Sequence, residues 1–140
     1  MIKFIGFDIW EGVTIEDNEK NFTCRTLEIK STDYSALRIF EHGKNFYMLI
    51  SKMVYCCELE FEIKEISKSL YLQLQRHGYR VERINKRIRL IETRIFDAVE
   101  SKNSDIIDKS IDIKILLNKT AIKYKDMIEN ILKESRLVIN

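Results

Sequence analysis

The chain contains no proline and only four glycines among its 140 residues. That scarcity excludes a loop-rich or collagen-like architecture and favours long regular elements. Cysteine is rare too: Cys24, Cys56 and Cys57, with one vicinal pair, do not make a disulfide framework and read as reduced thiols. No long hydrophobic run exists, because Ser51-Lys52 closes the apolar stretch 46–50 and Glu58 closes the stretch 53–57. A membrane-spanning helix needs about 20 apolar residues, so no membrane partner is expected. Asp8 interrupts the apolar opening and breaks the pattern of a secretory leader. These features read as a cytoplasmic protein.

Histidine is nearly absent. His42 and His77 each precede a glycine and read as turn residues. Together with Cys56 and Cys57 they fit no zinc-ligand spacing. The chain lacks a phosphate-cradling glycine loop, a nucleophile elbow and a cysteine–histidine signature. The expectation is a non-enzymatic protein with no metal and no cofactor.

What is present is a globular composition, 45% apolar and 33% charged, which excludes a disordered chain. One domain spanning 1–140 is expected from the length. The first half is rich in strand formers. Residues 1–10 (MIKFIGFDIW) turn at Glu11-Gly12 into residues 13–16, and residues 21–30 (NFTCRTLEIK) read as a further strand. Residues 36–40 and 46–50 flank Glu41-His42-Gly43-Lys44 as a hairpin. Residues 54–64 alternate: Tyr55, Cys57, Leu59, Phe61 and Ile63 on one side, Glu58, Glu60 and Glu62 on the other. That is the period of a half-buried strand, and it makes the glutamates an exposed strand face and not an acid–base site. Trp10, beside Asp8 and Glu11, reads as a core residue, with an interface anchor as the alternative.

The second half is helical. Val81, Ile84, Ile88, Ile91 and Ile95 form one apolar stripe, and SKNS at 101–104 ends it. Ser104 is a suitable N-cap, followed by Asp105 and Asp108 in a first turn that favours negative charge. A second helix runs from Asp105 to about Arg136, with Ile107, Ile111, Ile115 and Ile122 as its expected core face. The short break makes the two helices antiparallel neighbours. The fold class is therefore α+β: a β-rich part over 1–77, an N-terminal antiparallel meander, then a helical hairpin over 79–137. A mostly α chain with one helix from about 57 to 101 is the competing reading, weakened by Gly78 in its interior.

Charge is concentrated in one place. The net charge is only +2, yet residues 76–94 hold seven bases against Glu82 and Glu92, including six of the nine arginines. Guanidinium offers a planar fork to phosphate or carboxylate, so an arginine cluster in a lysine-rich chain is informative. On a helix, Arg76, Arg80, Arg83, Arg87 and Arg94 fall within about 60° of arc, flanking the isoleucine stripe. Lys114, Lys119, Lys123 and Lys125 of the second helix are four bases with no acid between Asp112 and Asp126; Lys114, Lys119 and Lys125 join the site, and Tyr79 and Tyr124 are candidate stacking residues. The site expected from these residues is a basic helical face for nucleic acid or an acidic protein surface. In the bland alternative the arginines cover apolar surface and pair with acids such as Glu58, Glu62 and Glu65.

Three functions follow. The first is a binding or regulatory protein that engages nucleic acid or a nucleic-acid-handling complex. With 22 isoleucines and 15 lysines, the chain suits an AT-rich virus- or mobile-element-encoded inhibitor of a host system. The second is an oligomeric adaptor, a homodimer first, whose hairpin self-associates. The third is a nucleotide- or phosphate-binding protein in which Arg80, Arg83 or Arg87 clamps phosphate at a subunit seam.

Overall fold

The computed structural model describes residues 1–55 and 57–136. Cys56, one of the three expected thiols, and residue 137, the expected last residue of the hairpin, lie outside the described residues. Seven antiparallel strands form two sheets. The first contains β1 (Lys3–Asp8), β2 (Gly12–Asp17) and β3 (Lys20–Cys24) in that order. The second contains β4 (Leu27–Ser31), β5 (Ser35–His42), β6 (Asn45–Tyr55) and β7 (Glu58–Ile66). Two helices, α1 (Lys68–Glu100) and α2 (Ser104–Glu134), form a hairpin. The class is α+β. The chain divides into two compact units: residues 1–76 with the end of α2 from Ile131, and His77–Asn130.

The first unit is built on two sheet faces that share one core. Val13 and Ile15 of β2 meet Phe40, Tyr47 and Leu49 of β5 and β6. The Phe4 ring of β1 stacks on Phe61 of β7 at 4.6 Å, so the aromatics of the opening segment bridge the sheets. The stretch 21–30 is not one strand. It breaks at Arg25-Thr26 and changes sheet there. The alternating stretch 54–64 likewise spans the end of β6 and most of β7, which pair from Tyr55↔Glu58 to Phe46↔Ile66. Its glutamates 58, 60 and 62 are exposed, as alternation requires. On the opposite face of the second sheet, Leu37, Ile39 and Met48 are buried, and Phe46 packs on Tyr71 of α1 at 4.7 Å.

Glycine matters at two turns. Gly12 has φ +109°, and a Cβ there would run into the Cys24 carbonyl of the paired strand. Gly43, with φ +62°, closes the β5–β6 hairpin as its sequence suggests. Trp10 is 91% exposed, which corrects its reading as a core residue. It sits on a turn held by the Asp8 carboxylate, which accepts from the Trp10 and Glu11 amides at 2.7 and 3.1 Å.

α1 begins at Lys68, eleven residues before the expected start of the helical hairpin at 79. The Ser67 hydroxyl accepts from the Leu70 amide at 3.1 Å and caps it, so 68–77 belongs to the helix and not to the β-rich part. The helix passes through His77 and Gly78 without a turn, because buried Tyr71 and Leu74 anchor its first turns. Glycine's cost of about 1 kcal/mol does not outweigh that burial.

In the second unit the two helices pack along one row of residues each. On α1 the row is His77, Val81, Ile84, Ile88, Ile91, Ile95 and Ala98, advancing by alternating fours and threes. On α2 the matching row is Ile107, Ser110, Lys114, Leu117, Ala121, Tyr124 and Ile128. Ile84, Ile88, Leu117 and Ala121 form its buried centre. Among the described residues, no helix is long and apolar enough to cross a membrane.

Candidate basic interface on the helical hairpin

Five of the sequence-selected arginines share one flank of α1. Arg80, Arg87 and Arg94 each lie one position before a seam residue (Val81, Ile88 and Ile95), and Arg76 and Arg83 lie one turn farther out on the same side. Arg76, Arg83, Arg87 and Arg94 are exposed. Among the described residues, none of these four has an ion-pair partner. The hairpin's own pairs use lysine instead: Lys86–Glu82 at 3.3 Å and Lys114–Glu92 at 3.9 Å. The stripe from Arg76 to Arg94 runs about 27 Å along the helix.

Arg80 is held differently. Its guanidinium lies over the Tyr124 ring, 5.1 Å from the centroid, and His77 lies 6.1 Å from the same ring. Tyr124 is therefore part of the seam and not a free stacking platform. Tyr79 is 48% exposed and borders the stripe on its outer edge. Arg94 lines a shallow cleft of about 320 Å³ with Leu90, Asp97 and Ile106.

The lysines do not join this stripe. Lys114 occupies a seam position and reaches out to Glu92, its stem covering apolar surface. Lys119 lies on the outer face of α2, and Lys125 lies on the flank opposite the arginines. Lys109 and Lys123, two heptads apart, are the α2 bases on the arginine side, and neither is among the site residues selected from the sequence. The signal for both is a position one residue before a seam residue, Ser110 and Tyr124, visible only once the seam is known.

The histidines are not turn residues of one kind. His77 is inside α1. His42 ends β5 and pairs with Asp17 of β2, Nε2 to Oδ2 at 2.9 Å, with the Phe22 ring 4.8 Å away. Among the described residues no three of His, Cys, Asp or Glu gather as a metal cluster.

In the β unit, Arg38 has a built environment although composition does not single it out. Arg38 of β5 lies under the Phe7 ring at 4.3 Å and touches Glu28 and Ser51, each at 3.4 Å. Burial lowers its pKa and Glu28 opposes that shift. It lines a groove of about 250 Å³ with Tyr34, Met53 and Phe61. Its charge is already balanced by Glu28, so this groove does not compete with the hairpin as an anion site.

No family model, curated protein or solved structure matches this chain.

Proposed function

We propose that the protein acts by binding and not by catalysis, with the arginine flank of α1 contacting the phosphates of nucleic acid. The observation that carries this reading is that four exposed guanidinium groups are aligned on one flank without ion-pair partners among the described residues. Like charges held close cost stability unless a partner is gained, and exposed guanidinium groups are suited to phosphate. The stripe length of about 27 Å matches about eight base pairs of duplex. Tyr79 at its edge gives an aromatic face for a single strand. The composition fits a virus- or mobile-element-encoded inhibitor that occupies nucleic acid or its handling machinery.

A salt titration tests this. Binding of the full chain to mixed-sequence DNA and RNA is expected to weaken linearly in logarithmic units of salt, with a slope of about −3 to −4 for four phosphate contacts. The variant Arg83→Glu/Arg87→Glu/Arg94→Glu is expected to lose at least about a hundredfold at low salt, with unchanged helicity. Arg80 is left in place because it packs on Tyr124. Wild-type protein that binds neither nucleic acid overturns the reading. Salt-sensitive capture of an acidic protein in its place keeps the face and replaces the partner.

A further inference from the structure

α2 carries two interlaced rows. One is the seam buried against α1. The other consists of Asp108, Ile111, Ile115, Asn118, Ile122 and Lys125, advancing by the same alternating threes and fours on a flank that α1 leaves open. All six are exposed, and the isoleucines keep 41%, 47% and 56% of their surface. Phe96 and Val99 of α1, also exposed, border the same flank. The five apolar side chains present on the order of 500 Å², at the upper end of the largest patch on a monomer.

The geometry points to a second copy of this chain as the occupant, its α2 packed antiparallel on the first along this row. The row is complementary to itself when reversed. With the two-fold axis between Leu116 and Leu117, Asp108 faces the partner's Lys125, Ile111 faces the partner's Ile122, and Ile115 faces the partner's Asn118, each contact occurring twice. Other alignments lose this match. Parallel pairing sets each residue against itself, so aspartate meets aspartate and lysine meets lysine. Sliding one heptad in one direction sets Ile115 against Lys125. Sliding in the other keeps one apolar pair, Ile111 with the partner's Ile115, but leaves Ile122 against Ser104 and Asp108 against Asn118, so both ion pairs are lost. A stable dimer needs about 800 Å² per partner, and the isoleucine row with its charged ends and Phe96 and Val99 supplies a patch of that order. The row lies on the flank away from the arginines, so the inference stands independently of the nucleic-acid reading.

Sedimentation equilibrium of the full chain tests it, using wild type, Asp108→Lys, Lys125→Asp, an equimolar mixture of the two, and the chain carrying both changes. These side chains are exposed, and circular dichroism checks that the helices persist. Wild type is expected to be a dimer. Each single variant is expected to raise the dissociation constant at least about tenfold by setting like charges together. The mixture is expected to form heterodimers, and the double swap to restore the homodimer. A wild type that stays monomeric overturns the inference. So does a dimer that the single changes leave untouched, or a mixture that fails to reassociate.

Discussion

At the scale of single residues, the bend between the helices shows how a two-residue turn sets a topology. Lys102 adopts φ +56°, a left-handed conformation that costs a non-glycine residue about 1 kcal/mol. It does so because the Asn103 amide donates to the Ala98 carbonyl at 2.9 Å and the Lys102 amide to the Val99 carbonyl at 3.2 Å, closing the end of α1. Asn103 then caps α2: its side-chain oxygen accepts from the Ile106 amide at 3.3 Å. The cap is thus one residue before Ser104, where the sequence pattern places it, because asparagine and serine are equally good caps and only the tight turn decides between them. Lys102→Gly relieves the strain while keeping both hydrogen bonds. It is expected to stabilise the protein by about 0.5–1 kcal/mol, read as a higher urea midpoint at unchanged slope. A lower midpoint would mean that the lysine side chain contributes more than its backbone costs.

At the scale of elements, α2 is where sequence and structure part. The isoleucines 111, 115 and 122 read as its core face, yet they are exposed, and the buried row is Ser110, Leu117, Ala121 and Ile128. Small residues at 110 and 121 let the helices approach, and Lys114 extends its charge outward to Glu92. A hydrophobicity count favours the row with more isoleucine, and it cannot tell which of two rows faces the nearer helix. By contrast, α1 was legible, because its seam is its one sustained apolar row. The glutamate face of β7 was legible from alternation, and the β5–β6 hairpin from Gly43. The arginine flank was legible as soon as α1 was, since its place follows from the seam; the lysines of α2 were not, since their row was misphased. Neighbouring leucines measure the phase directly. Leu117→Ala, at a buried position, is expected to cost about 2–4 kcal/mol in urea unfolding. Leu116→Ala, at a position 63% exposed, is expected to cost less than about 0.5 kcal/mol. Equal costs would contradict the seam.

At the scale of the whole molecule, the two surfaces of the hairpin make each other consequential. A two-fold dimer through the outer row of α2 leaves the arginine flank of each α1 open, because the two lie on opposite sides of the seam. Each dimer then carries two basic stripes. The stripes face in opposite directions, so a stiff duplex engages one at a time, whereas a long single strand is flexible enough to pass round the dimer; the second stripe then binds it from an effective concentration set by its tether to the first, and affinity rises without any new kind of contact. Length dependence on single strands therefore separates the contributions. Ile111→Asn/Ile115→Asn removes apolar surface from the row without changing charge and is expected to give a folded monomer. On a single strand of about eight bases, long enough for one stripe only, it is expected to bind as wild type does. On a single strand of several times that length, it is expected to bind at least about tenfold more weakly. Equal weakening on both lengths would place the isoleucine row in the nucleic-acid contact itself. Equal binding on the long strand would mean that the stripes act singly, and the dimer would then serve stability and not avidity.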